Sequence, residues 1–181
     1  MIFSSKAFGR LLAVFIAMAV ALVIAPTAAS SAPSGQASPQ ADADIEALIK
    51  ANPGAKRIGD NRIRLENGVI AETVYCAEDT TSKQGTQGCG ECAYGWLCLW
   101  DSTYYNGSSL RLYHCGFVNI GSVHGWNDRI RSYRNNQTPG TTTLFFDVTG
   151  GDWWHSYTSW APDNQPLAPV QVYYVNGITV C

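Results

Sequence analysis

Trp100-Asp101-Ser102-Thr103-Tyr104-Tyr105-Asn106-Gly107 places an aromatic residue, a second aromatic five positions on, and a glycine two beyond it. From Glu91 onward the chain keeps one texture: short runs rich in aromatic and β-branched residues, separated by Gly, Asn, Asp and Pro turns. The predicted strands are Trp96–Asp101, Leu110–Cys115, Ile130–Arg134, Thr142–Asp147, Trp153–Tyr157 and Val170–Val175, with no helical stripe between them. Such spacing reads as an all-β domain of about 90–100 residues, a sandwich or barrel. A core of that size is near the lower end of self-sufficiency, which suits disulfide bracing.

Working outward, the upstream segments differ. Met1–Arg10 carries Lys6 and Arg10 without an acid, Leu11–Ala25 is apolar throughout, and small residues follow over Thr27–Ala32. That is the layout of a secretory signal, and its apolar run is short of the roughly 20 residues that span a bilayer. Cleavage is expected after Ala29; Ala32 is the alternative, but there Pro33 follows the cut. Ser30–Ala41 reads as a flexible Ser/Pro/Ala/Gln linker. Ile45, Leu48 and Ile49 then mark a short amphipathic helix over Asp42–Ala51, with Asp42 or Asp44 as N-cap and Asn52-Pro53-Gly54 as its stop. Asn61–Leu65 and Val69–Tyr75 flank Glu66-Asn67-Gly68, a hairpin signal. The expected organisation is a signal peptide over 1–29, a disordered linker over 30–41, a helix–hairpin extension or prosegment over 42–75, and the β domain over 76–181.

The chain has 181 residues, 46% hydrophobic, 12% aromatic and 14% charged, with net charge −2. Aromatic content this high excludes a disordered chain, and the charge balance excludes a basic nucleic-acid-binding domain. Removing Lys6 and Arg10 with the leader leaves ten basic residues of the twelve against fourteen acidic ones, net −4. All six cysteines, Cys76, Cys89, Cys92, Cys98, Cys115 and Cys181, lie in the exported part. An even number in a secreted chain implies disulfides, and six cysteines allow 15 pairings.

The Trp100–Gly107 stretch resembles the βγ-crystallin Greek-key pattern, in which the glycine takes a backbone conformation closed to other residues and both rings pack over it. Trp126-Asn127-Asp128-Arg129-Ile130-Arg131-Ser132 looks like the segment that closes that motif and supplies calcium ligands in the family. Here Arg131 stands where a hydroxyl residue would ligate the ion, and calcium needs oxygen donors. No cofactor is therefore expected; Asn127, Asp128 and Ser132 are the candidate ligands if calcium binds. Cys92-Ala93-Tyr94-Gly95-Trp96-Leu97-Cys98, with Tyr113–Gly116 and Ser132–Asn136, resembles the Streptomyces metalloproteinase inhibitor family, secreted actinobacterial proteins of βγ-crystallin-like fold. The resemblance covers Cys92–Asn136; Thr142–Cys181 echoes it loosely. It implies an all-β, βγ-crystallin-like Greek-key sandwich and a Cys92–Cys98 disulfide. Cys115 then pairs with Cys76, Cys89 or Cys181, leaving the other two for each other.

The inhibitors of that family present a rigid, disulfide-braced loop to a metalloprotease. No reactive bond carries over, because the second half holds no cysteine before Cys181. The candidate inhibitory loops are Thr138–Thr141, with Thr138, Pro139 and Gly140, and Ala161–Ala168, with Pro162, Asp163 and Asn164; proline restricts the free state of both. Trp153 and Trp154 point to opposite faces of a strand, so one belongs to the core. The other, with Trp160, offers a platform for a sugar ring or a protein partner. Cys89-Gly90-Glu91-Cys92 lacks the strand–helix context of a redox motif, and His114, His124 and His155 fit no zinc spacing. Asp101, Asp128, Asp147, Asp152 and Asp163 form no recognisable catalytic pattern, and an enzyme is not expected. The expected protein is a secreted monomer that binds an extracellular protease. A module for cell-wall glycan is the first alternative, and a structural or antimicrobial crystallin-like protein the second. Nucleic acid is not expected as a partner, nor a membrane once the signal is cleaved.

Overall fold

The computed structural model describes residues 39–75, 90–121 and 125–181. The signal-peptide expectation, Cys76, Cys89 and His124 lie outside them. The chain opens with α1 (Pro39–Ala51) and continues through β1 (Lys56–Gly59), β2 (Arg62–Arg64) and β3 (Ile70–Val74). The β domain adds β4 (Trp96–Trp100), β5 (Ser109–Tyr113), β6 (Gly116–Asn119) and β7 (Ser132–Asn136) as a first half. Its second half is β8 (Thr142–Thr149), β9 (Asp152–Trp160), β10 (Asp163–Gln165) and β11 (Gly177–Val180). Two sheets result, one of order β1-β2-β3-β5-β4-β7-β10 and one of order β6-β11-β8-β9. All their pairings are antiparallel. Each half gives its third strand to the other's sheet: β10 pairs with β7, and β6 with β11.

Alternation fixes which side of each strand is buried. Ile63, Ala71, Leu110, Leu112, Leu97 and Leu99 face inward from the large sheet, and Val118, Phe145, Ile178 and Val180 meet them from the small one. The amphipathic face of α1 adds Ile45 and Leu48 to the same core. Its capping residue Asn52 ties the helix to the small sheet. The Asn52 Nδ2 donates to the Asn119 carbonyl at 2.7 Å, and its Oδ1 accepts from the Asn119 N–H at 3.0 Å.

The extension is continuous with the main sheet. β3 pairs with β5 from Ile70↔Tyr113 to Val74↔Ser109, so the edge that β5 would expose is covered. The helix begins earlier than expected: Pro39, Gln40 and Ala41, read as linker, form its first turn, and Ala41 is buried. Proline needs no N–H partner there. Val170–Val175 is not a strand; Val170–Val172 forms a 3-10 turn after Pro169, and the strand comes later, at β11. Strands β1, β6, β10 and β11 are each three or four residues long, too short to register as periodicity.

The resemblance-implied disulfide Cys92–Cys98 is present, and Cys115 pairs with Cys181. Cys92 is thus not the partner of Cys89 in a redox pair. Among the described residues no helix is long and apolar enough to cross a membrane.

Candidate functional site

Two turns meet at one end of the β domain. The first joins β7 to β8 through Gln137–Thr141, and the second joins β9 to β10 through Ala161 and Pro162, whose peptide bond is cis. They hydrogen-bond to each other. Gly140 N–H donates to the Ala161 carbonyl at 3.0 Å, and Ala161 N–H donates to the Thr141 carbonyl at 2.9 Å. Thr141 closes its own turn through its N–H and hydroxyl, both directed at the Thr138 carbonyl, at 3.1 and 2.7 Å. Thr138, Pro139, Gly140 and Pro162 are exposed on this double turn.

The bracket beneath it is polar. Asp163 Oδ2 accepts from the Tyr133 hydroxyl at 2.6 Å and the Ser159 hydroxyl at 2.8 Å, while Oδ1 accepts from the Gln165 amide at 2.8 Å. Asn135 donates to the Ser159 hydroxyl at 3.2 Å. Burial, then the bond to Asp163, pushes the Tyr133 hydroxyl far up from its ordinary pKa, so it stays a donor. Of the residues expected in a loop over 161–168, Asp163, Asn164 and Gln165 instead form β10, paired with Asn135, Arg134 and Tyr133. Pro162 and Asn164 are exposed, whereas the Asp163 carboxylate is spent on the bracket.

The Cys92–Cys98 loop lies alongside. Asn136 Nδ2 donates to the Cys92 carbonyl at 2.9 Å, and Gly95 N–H donates to the Asn136 carbonyl at 2.8 Å. Tyr94, 67% exposed, reaches the Thr138 hydroxyl at 3.4 Å. Trp160, 64% exposed, immediately precedes the Ala161 turn. Sequence reading missed Tyr94 here, although its place between two bonded cysteines was the available signal.

Trp153 and Trp154 do face opposite ways, but neither enters the core: they are 41% and 61% exposed. A bulge sets Phe145 opposite Tyr157 and Phe146 opposite His155, so Ser156 is unpaired and the alternation of β9 shifts. Core positions are therefore taken by Phe145 and Tyr157. Trp153 lies with Phe117, ring centroids 5.0 Å apart, on the outer face of the small sheet. A Cβ at Gly177 would come within 2.6 Å of Trp153 and 2.7 Å of Phe117, so glycine lets both rings lie down on the sheet. Trp160 is away from this pair, on the double-turn end.

The calcium candidates are placed differently from one another. Ser132 accepts from Tyr105 N–H at 3.0 Å and donates to the Ser102 carbonyl at 2.6 Å, so its hydroxyl clasps the Trp100–Gly107 hairpin. Arg131 donates to the carbonyls of Asp128 and Ile130 at 2.9 and 3.0 Å and lies over the Tyr173 ring. The Asp128 carboxyl is raised from its ordinary range by burial and by Asp147, against the pull of Arg131. The Asn127 Oδ1 is buried and has no hydrogen-bond partner among the described residues. Among the described residues no group of three or more His, Cys, Asp or Glu side chains is arranged to hold a metal ion. Asp101 caps Ser108 N–H and pairs with Arg129, which also pairs with buried Asp44. These carboxylates are structural fixtures of the hairpin and α1.

Residues 85–158 match the family model of peptidase inhibitor family I36. The match shows the resemblance read from Cys92–Asn136 and carries it through β8 into β9. It supports a peptidase inhibitor with a protease as partner, and with the disulfides it is consistent with an extracellular protein. No curated protein and no solved structure matches the chain.

Proposed function

We propose, from the match of residues 85–158 to peptidase inhibitor family I36, that this protein is a secreted inhibitor of an extracellular metalloprotease. The surface it presents is the double turn of Thr138–Thr141 and Ala161–Pro162, flanked by Tyr94 and Trp160. The observation that carries this reading is the mutual hydrogen bonding of the two turns above the Asp163 bracket. A segment ordered before binding loses less conformational freedom when it docks, and exposed aromatic residues beside it are the usual anchors of such interfaces. The exchange of β6 and β10 between sheets supports the crystallin-like Greek-key reading of the fold. The inhibitor works as a monomer and without a metal cofactor.

The test is a titration of the oxidised protein against a thermolysin-type metalloprotease, with a serine protease as control. Loss of metalloprotease activity at one-to-one stoichiometry is expected, and Pro139→Asp with Trp160→Ala should abolish it. Full protease activity at micromolar protein would overturn the metalloprotease assignment. A second reading, a cell-wall glycan module, is favoured by the exposure of Trp153, Trp154 and Trp160. It predicts sedimentation with an insoluble cell-wall polysaccharide that Trp154→Ala weakens.

A further inference from the structure

The basic residues of this acidic protein are sorted by face. Arg57 and Arg129 are engaged by the acids of α1: Arg57 with Asp42 and Glu46, Arg129 with Asp44. On the outer side of the seven-stranded sheet the pattern differs. One cross-strand row there reads Lys56, Arg64, Ile70, Tyr113, Trp96, Asn136, and the next reads Arg62, Glu72, Arg111, Cys98, Arg134, Asn164. Glu72 is the acidic residue of these rows and pairs with Arg62. Burial lowers the Arg111 guanidinium from its ordinary value, with Glu72 and Glu91 acting against that. Lys56 and Arg64 are exposed and have no ion pair among the described residues, whereas Arg134 is half-buried, donates to the Gly90 carbonyl at 2.9 Å and lies over the Tyr105 ring.

The relief of this face is suited to a chain-like ligand. Two shallow depressions, of about 540 and 450 Å³, meet at Arg64. Lys56, Ile58 and Glu66 line the first, and Ile70 and His114 the second. The row continues onto Tyr113 and Trp96, whose rings stack 5.1 Å apart. Two cations therefore stand side by side at one end of the row, and apolar and ring surface runs on from them across the strands.

We propose that this outer face binds an acidic polysaccharide, laid across the strands with its carboxylates on Lys56 and Arg64 and its sugar rings over Ile70 and Tyr113. Lys56 and Arg64 face each other on adjacent strands, about 5 Å apart, which matches a polymer with one charge per ring. A nucleic-acid duplex carries a charge about every 1.7 Å, denser than two cations on adjacent strands can match. Glu66 at the rim of the first depression favours a ligand of low charge density as well. Lys56 and Arg64 lie on β1 and β2, at the edge of the sheet opposite β7, β10 and the double turn, and the proposal does not depend on the inhibitor reading.

The experiment measures binding of the oxidised protein to polygalacturonate at low salt, with neutral dextran and duplex DNA in parallel. Binding to polygalacturonate that falls with added salt is expected, with dextran unbound. The Lys56→Ser/Arg64→Ser variant should bind about tenfold more weakly. Both side chains are exposed and have no ion pair among the described residues, so its unfolding midpoint should stay at the parent value, and the midpoint checks that the loss is not one of folding. Lys50→Ser, which removes an exposed cation from α1 outside these rows, should bind as the parent does. The proposal is overturned if polygalacturonate does not bind, if the double variant binds equally, or if DNA binds as tightly.

Discussion

The hairpin that opens the first half and the hairpin that opens the second hold the same place in the strand exchange and end up unlike. Between β4 and β5 the chain folds back over its own sheet. Trp100 points to the outer side yet is fully buried, because Tyr105 packs edge-on against it at 5.3 Å. Tyr104 N–H donates to the Pro166 carbonyl at 2.7 Å and Tyr105 N–H to Ser132, so both later segments hold the fold-back. Gly107 has φ +76°, and a Cβ there would collide with Asp101 and Ser102. Between β8 and β9 the turn at Gly150-Gly151 is tight and the strands simply continue, leaving Trp153 and Trp154 exposed. The first hairpin spends its aromatic surface on the fold; the second leaves that surface available to a partner.

The strongest way to break this contrast is to truncate the corresponding tryptophans. Trp100→Ala should cost about 3–5 kcal/mol, as for other fully buried aromatics. Trp153→Ala should cost about 1 kcal/mol or less, because its ring is partly solvated and gives up chiefly one aromatic contact. Urea denaturation midpoints of the two variants measure the difference, and equal losses would refute it. An intermediate effect is expected for Ser132→Ala. It removes the acceptor of Tyr105 N–H and should cost about 1–3 kcal/mol. A parent-like midpoint would show that the fold-back holds without its clasp.

The smallest effect concerns charge and sharpens the contrast, since Arg129 joins the first hairpin to α1 through Asp101 and Asp44. Burial raises the Asp44 carboxyl from its ordinary value, opposed by Arg129. The folded state thus holds this proton more tightly than the unfolded chain does. The resulting stability is fully present below the ordinary pKa of 3.8 and is lost as pH rises through the raised value. Relative to the parent, Asp44→Asn should lose that gain on acidification. Thermal midpoints of both proteins from pH 7 to pH 3.5 test this, and parallel curves would remove Asp44 as the source.

Local chemistry made part of this legible. The spacing of Trp100, Tyr105 and Gly107 announced the folded hairpin, and Glu66-Asn67-Gly68 announced the β2–β3 turn. Asp163–Gln165 read as loop because Pro162, Asn164 and Pro166 are turn formers; pairing with β7, far off in sequence, makes it a strand. The Trp153–Trp154 alternation was right about opposite faces. It failed on the core because β9 runs past the end of the core and shifts phase at Ser156. The double turn was readable as two separate proline-bearing segments, and their contact through Ala161 was not, since nothing local encodes a bond between residues 140 and 161.

The Cys115–Cys181 bridge encloses the whole second half, including both turns of the double turn. A protease that hydrolyses a single peptide bond anywhere inside that ring releases no fragment. The two new ends stay tethered through sulfur, with β10 held on β7 and β11 between β6 and β8. A nick would therefore convert a closed loop into an open one on the same scaffold, leaving its religation an intramolecular event.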